Sequence, residues 1–271
     1  MPSYLITGVS RGIGFEFLRA LSLNPANTVI GLVRHKKGTD EKIAAANIES
    51  KNVHIFEGDL ENYESLKKAA KLTASVTGGS LDYLIANAAY VSGWSEFQPI
   101  GDMGNDPKRL EEDLRAHFDV NVIGNVHLFN LFMPLILRGE KKKVFAISSG
   151  ISDIDMVANL DLDIGAPYSI SKAGLNLAVA KFSAQYREQG VLFLAICPGS
   201  VNTSLTQMRD EEAMANFAKV GAKFASYAPN FTGPVEPDVA VQRLLRVMET
   251  AHAGEDRAGK FVSHLGNKQW L

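Results

Sequence analysis

Short apolar runs alternate along the chain with longer segments in which apolar residues recur every three or four positions. "SYLITG" (3–8), "TVIGLVR" (28–34), "NVHIFEG" (52–58), "LDYLIANA" (81–88), "KKVFAISS" (142–149) and "GVLFLAIC" (190–197) are continuous and do not alternate strictly, which predicts strands buried on both faces. Helix-period patterns lie between them, at about 12–23, 39–49, 62–77, 107–137, 166–189 and 236–252, and "GKFVSHL" (259–265) predicts a last short strand. Such alternation gives a parallel sheet with right-handed crossovers and helices on both faces. No Pro/Ser-rich linker, internal repeat or low-complexity segment divides the 271 residues. The expectation is one α/β domain over residues 1–271, a doubly wound Rossmann fold with a mostly or wholly parallel seven-stranded sheet.

In such a sheet ligands bind beyond the carboxyl ends of the strands, so the strand-to-helix loops are where chemistry is sought. The first is "TGVSRGIG", in which Gly8, Gly12 and Gly14 are interleaved with Ser10, Arg11 and Ile13. A turn here brings backbone N–H groups against a pyrophosphate and aims a helix dipole at it. A glycine-rich loop alone is equally an ordinary tight turn; its position between a first strand and a helix points to a dinucleotide. An NAD site places a carboxylate about 20 residues further on. Here the second strand ends "LVRHKKG", so Arg34, followed by His35, Lys36 and Lys37, stands in its place. Arg34 with Arg11 suits a 2′-phosphate through charge-assisted hydrogen bonds and favours NADP(H); the other reading is a solvated basic loop.

Composition narrows the class. Hydrophobic residues make up 46%, charged residues 21% and the net charge is −2, which gives no pull toward nucleic acid or an anionic membrane. The single Cys197 excludes an internal disulfide and reads as a small buried apolar residue, since no histidine or cation adjoins it. No signal peptide and no membrane-length apolar run are recognisable, so a reducing, cytoplasmic setting is expected. The six histidines show no metal-ligand spacing, and no metal is expected.

"TGVSRGIG", "NAA" (87–89), "NVIG" (121–124), "ISS" (147–149), "YSISK" (168–172) and "CPGSV" (197–201) occur in the order and approximate spacing of the short-chain dehydrogenases/reductases. The chain resembles the carbonyl-reductase-like members of the main, single-domain class, and ends in a short aromatic tail, "NKQWL", as those often do. The resemblance implies an NADPH-dependent enzyme that reduces a ketone or aldehyde. It makes Tyr168 the general acid, Lys172 the cation that depresses the tyrosine pKa and holds the nicotinamide ribose, and Ser149 the donor to the substrate oxygen. Asn121 becomes the anchor of a water chain behind the lysine. A phenol with a pKa of about 10 needs such a neighbour, and Lys172 lies one helical turn on.

The same resemblance assigns Asp59 and Leu60 to the adenine, and Asn87 and Ala88 to close backbone approach, with Ala89 where glycine is usual. Pro198, Gly199, Val201 and Thr203 fall to the nicotinamide side. Taken singly, Asp59 is also a helix N-cap, Asn121 a packing residue, and Tyr168 with Lys172 a solvated helix face. The family commonly forms homodimers or homotetramers through the helices placed at 107–137 and 166–189.

Nineteen positions separate Ser149 from Tyr168, more than is usual in the family, and Ser152 is nearer to the usual spacing. Ser149 is preferred because it lies at the strand end. The extra residues, with Asp153, Asp155, Asp161, Asp163, Met156, Val157 and Leu160, are expected to bulge outward to the rim of the substrate cleft, as a solvated or a substrate-selecting loop. Residues 203–234, with Met208, Met214, Phe217, Phe224, Tyr227 and Phe231, are expected to cover an apolar carbonyl substrate or to pack as an amphipathic helix. Two other classes compete. A non-catalytic dinucleotide sensor could dispense with Ser149, Tyr168 or Lys172, and all three are present. An epimerase or dehydratase of the longer relatives needs a larger C-terminal domain than the roughly 70 residues after Pro198 supply. Alcohol oxidation by the same residues stays open.

Overall fold

Continuous apolar runs become central strands because both of their faces must be covered. The computed structural model describes residues 1–48, 51–203 and 211–271. Among these, β1 (Ser3–Thr7), β2 (Thr28–Val33), β3 (Val53–Glu57), β4 (Tyr83–Ala86), β5 (Lys143–Ile147), β6 (Leu192–Cys197) and β7 (Phe261–Ser263) form one seven-stranded sheet. Its order is β3-β2-β1-β4-β5-β6-β7, and every pairing is parallel. Successive strand residues point to opposite faces. Leu5, Leu84, Val144 and Phe193 therefore join one core layer, and Ile6, Ile85, Phe145 and Leu194 the other.

The helices of the described residues are α1 (Gly12–Ser22), α2 (Lys36–Ala45), α3 (Tyr63–Thr77), α4 (Pro107–Phe118), α5 (Asn125–Ile136), α6 (Ile154–Asn159), α7 (Ala166–Tyr186), α8 (Glu211–Tyr227) and α9 (Pro237–Thr250). Leu66, Phe129, Phe132, Leu175 and Val179 of α3, α5 and α7 cover the first face; Phe17, Leu18, Val241 and Leu244 of α1 and α9 cover the second. Each such side chain, fully buried, contributes about 1.5–3 kcal/mol. Ends are set locally: Asn62 Oδ1 accepts from Ser65 N to cap α3, Gly78 closes it at φ 65°, and Asp106 with Pro107 starts α4.

β1 lies between β2 and β4, so the connections change face there and open a crevice at the carboxyl ends of these strands. At the opposite end, Asp82 accepts from the backbone of Ser3, Glu140 and Lys141. Burial alone would raise its pKa, but these hydrogen bonds hold it below the usual carboxylate range.

Three elements differ from the sequence reading. α2 begins at Lys36, ahead of the expected 39, because Lys36 pairs with Asp40 along the first turn and its N–H donates to Glu57 Oε1. The helix expected over 107–137 widens to π geometry at Asp119–Gly124, where a Cβ on Gly124 would lie 2.6 Å from the Leu60 carbonyl oxygen.

The third difference concerns the 152–165 insertion, which folds inward. Asp153 accepts from Met156 N to cap α6 and pairs with Lys268 at 2.9 Å. Met156, Leu162 and Cys197 then form a third apolar cluster with Trp270, which stacks on Phe261 at 4.3 Å. Val157 and Leu160 also pack there, along with Val220, Phe224 and Tyr227 of α8, so the expectation that they reach the cleft rim is corrected. Part of the 203–234 segment, including Met208, lies outside the described residues.

Candidate active site

A cleft of about 620 Å³ opens where the carboxyl ends of β1 to β6 meet the loops that follow them. It is lined by Gly8, Ser10, Arg11, Gly12 and Ile13 from the first loop, and by Arg34, Asp59, Leu60, Asn87, Ala88 and Ala89 from the next three. Ser149, Tyr168, Lys172, Pro198, Gly199, Val201 and Thr203 also line it. The structure thus brings together every expected site residue except Gly14 and Asn121.

Gly14 lies behind the cradle and shapes it. A Cβ there would come within 2.3 Å of the Gly8 carbonyl oxygen and 2.5 Å of Asn87 Nδ2, so only glycine lets α1 approach the end of β1. Gly8 itself has φ 76° and faces Ala88, whose atoms would lie 3.0 Å from an added Cβ. Asn87 fixes this junction: Nδ2 donates to the Thr7 carbonyl at 3.0 Å, and Thr7 Oγ1 accepts from the backbone N–H of Asn87 and Ala88. α1 has neither a side-chain cap nor an acidic residue in its first turn. Its leading N–H groups are therefore available to an anion.

Cations gather at the end of the cleft beside β2. Arg11 and Arg34 line the cleft as exposed side chains, and neither meets a carboxylate among the described residues. Lys42 joins them from α2, donating from Nζ to the Ser10 carbonyl at 2.9 Å. Sequence reasoning missed Lys42. Its signal was the register of α2, eight residues beyond Arg34. Asp59 does not cap α3; its Oδ1 accepts from Glu61 N, and Asn62 is the cap.

At the other end Ser149, Tyr168 and Lys172 line the same cleft. Lys172 is buried and donates from Nζ to the Ile147 carbonyl at 2.8 Å, with Nζ 5.7 Å from the Tyr168 ring centre. Burial pushes the Lys172 ammonium down to about 8. Burial, then the neighbouring Cys197 and Glu96, push the Tyr168 phenol above its ordinary value, opposite to the depression expected from Lys172. Both groups are consequently protonated at neutral pH. Cys197 is itself pushed up to about 11 by burial, and its Sγ accepts from Gly150 and Gly199 N–H, as suits an inert buried thiol.

Of the candidate serines, Ser149 lines the cleft and Ser152 does not. Ser152 Oγ donates to the Ser149 carbonyl at 2.7 Å and accepts from Asn176 Nδ2 at 2.9 Å, so it braces Ser149 from behind. Asn121 is fully buried in the π segment. Its Oδ1 accepts from Tyr90 N at 2.8 Å, while Nδ2 donates to the Tyr90 carbonyl and to Ser171 Oγ, clipping the loop after β4 to α7.

A family model described as "short chain dehydrogenase" matches residues 3–214. The short chain dehydrogenase virK of Hypocrea virens is 50% identical over 271 residues, covering 100% of both chains. The short-chain dehydrogenase/reductase iacC of Pestalotiopsis fici is 46% identical over 272 residues, again covering 100% of both. Among solved structures, an NADPH-bound carbonyl reductase from chicken fatty liver superposes with a TM-score of 0.78 at 23% identity, covering 98% of each chain. A short chain dehydrogenase from Burkholderia cenocepacia in complex with NADP gives 0.74 at 18% identity, covering 98% of this chain and 97% of that one; both likenesses concern the fold. With its parallel sheet, its glycine cradle and full-length relatives at this identity, the chain belongs to the short chain dehydrogenase family of oxidoreductases acting on alcohol or carbonyl groups.

Proposed function

We propose that the protein is an NADPH-dependent carbonyl reductase. The observation that carries this reading is the meeting, in one cleft, of Ser149, Tyr168 and Lys172 at one end with Arg11, Arg34 and Lys42 at the other. The residues present fit the cofactor: the uncapped first turn of α1 suits a pyrophosphate, and Arg34 after β2, with Arg11 and Lys42 lining the same cleft and none of the three in a salt bridge among the described residues, suits a 2′-phosphate. The NADPH and NADP named for two of the structural neighbours support the same choice.

Bound there, the reduced nicotinamide supplies the hydride. Tyr168 holds the proton that the carbonyl oxygen needs, and its raised pKa keeps that proton in place until the oxygen becomes basic. Ser149 presents a second hydroxyl to the same oxygen and stabilises its developing charge. Lys172 retains most of its charge at pH 7 and stabilises the phenolate left after transfer. Asn121 holds the loop after β4 in place through Tyr90.

Tyr90 and Val91 add apolar surface to the cleft, which favours an apolar ketone, quinone or aldehyde. Phe118, Ile123, Ile170 and Leu177, all exposed by 41–62% on α4, the π segment and α7, support a homodimer or homotetramer through these helices. The buried lone Cys197 accords with a cytoplasmic setting, and no helix among the described residues is long and apolar enough to cross a membrane.

The deciding experiment is NADPH oxidation over a panel of ketones, quinones and polycyclic carbonyls, with Tyr168→Phe as control. Turnover is expected to fall at least about 100-fold in the variant while NADPH affinity stays within twofold. Undiminished turnover would overturn the reading.

A further inference from the structure

His117 on α4 is fully buried and packs edge-on against both Tyr168, at 6.3 Å between ring centroids, and Tyr90, at 4.8 Å. The reaction described above gives it no task. Its two ring nitrogens have unlike partners: Nδ1 lies 2.8 Å from the Asp113 carbonyl oxygen, and Nε2 lies 3.3 Å from the backbone N of Ser92. A carbonyl only accepts and an amide N–H only donates, so Nδ1 carries the proton and Nε2 the lone pair. One helical turn earlier, Asp113 Oδ2 accepts from Ser95 Oγ at 2.6 Å. One turn later, Asn121 holds both backbone groups of Tyr90. Asp113, His117 and Asn121 thus form one row that grips the loop at Ser95, Ser92 and Tyr90. Tyr90 and Val91 of that loop line the cleft beside Tyr168.

We propose that His117 is a positioning residue, a neutral single-tautomer pin that fixes the Tyr90–Ser95 loop to α4 and braces the Tyr168 ring against the cleft wall. The inference rests on the reading of Tyr168 as the proton donor. The titratable groups facing the imidazole are Asp113 on its own helix, Tyr90 on the loop and Tyr168 on α7. Burial lowers the His117 pKa against the opposing pull of Asp113, in keeping with a neutral ring. A protonated Nε2 could not accept from Ser92. The ring would then push the loop away instead of holding it.

Three substitutions separate the pin from mere packing. His117→Leu fills the space without hydrogen bonds. His117→Gln places an acceptor near the position of Nε2, and His117→Asn places its amide near Nδ1 only. Peptide-level amide hydrogen exchange over residues 90–95 is expected to quicken at least tenfold in His117→Leu and His117→Asn and to return to the wild-type rate in His117→Gln. Turnover of 9,10-phenanthrenequinone is expected to follow the same order, with kcat down at least tenfold and the NADPH Kd within twofold. Ser95→Ala removes one grip only and should quicken exchange in the same peptide, which keeps the test decisive should His117→Leu fail to fold. Unchanged exchange in the variants that fold overturns the pin, as does equal rescue by Asn and Gln. Quickened exchange with unaltered kcat overturns the bracing of Tyr168. A wild type that reduces no carbonyl would sink the reductase reading while exchange still decides the pin.

Discussion

Lys172 Nζ donates to the carbonyl of Ile147, the last residue of β5, across 2.8 Å. One hydrogen bond therefore ties the helix carrying Tyr168 to the strand end that leads into Ser149. The tie places an ammonium in a buried site, where desolvation opposes its charge.

Stability should register that penalty. The ordinary lysine pKa of 10.5 applies to the unfolded chain and a value of about 8 to the folded one. Between these values the unfolded chain binds more protons, so stability rises with pH over this window and the full penalty is present below it. Relative to Lys172→Met, the wild-type unfolding free energy from urea denaturation should climb from pH 8 to pH 10, by up to about 1.4 kcal/mol per pH unit. Parallel curves for the two proteins would remove the penalty from Lys172.

Ser149 and Ser152 should separate kinetically. Ser149→Ala removes a hydroxyl that faces the cleft, and kcat is expected to fall about 100-fold with little change in melting temperature. Ser152→Ala removes a brace and leaves Asn176 Nδ2 without its acceptor, which should cost about 1–3 kcal/mol in stability and less than tenfold in kcat. Equal kinetic losses would assign the substrate contact wrongly.

The three cations predict cofactor preference. Arg34→Ala, Arg11→Ala and Lys42→Ala should each weaken NADPH binding about tenfold, equivalent to about 1.4 kcal/mol, and leave NADH binding nearly unchanged. Because these side chains are exposed, the preference should narrow as salt is raised from 50 to 500 mM. Fluorescence titration of the reduced cofactors measures both effects.

Trp270 holds the inner cluster of the insertion. A Cβ on Gly150 would lie 3.0 Å from Trp270 Cβ, so the indole packs directly beneath the turn after Ser149. Trp270→Ala should cost about 3–5 kcal/mol and Trp270→Phe clearly less, in urea denaturation. An insertion solvated on the surface would give no such loss.

Strand positions were legible because most are nearly continuous apolar runs, and the glycine cradle because Gly8, Gly12 and Gly14 sit where a strand must turn into a helix. Arg34 was legible for the same reason, as it follows the last residue of β2. Lys42 was not, since its place at the cleft depends on where α2 starts, and that start is set by Glu57 on another strand. The inward fold of Met156 was hidden because its partner Trp270 is more than a hundred residues away. The raised pKa of Tyr168 was hidden too: spacing reveals Lys172 as a neighbour, but burial acts on both groups and is invisible in a linear pattern.

The junction of Gly8 with Asn87 has a kinetic meaning. The loop that would take the pyrophosphate is seven residues away from the N-terminal end of the chain, yet its shape depends on contacts that span about 80 positions. Closing a loop of that length precedes any reward from it, and distant pairings of this kind form slowly. Affinity for dinucleotide should therefore emerge late in refolding, after the first two strands and α1 have formed, and a fragment ending before β4 should bind none.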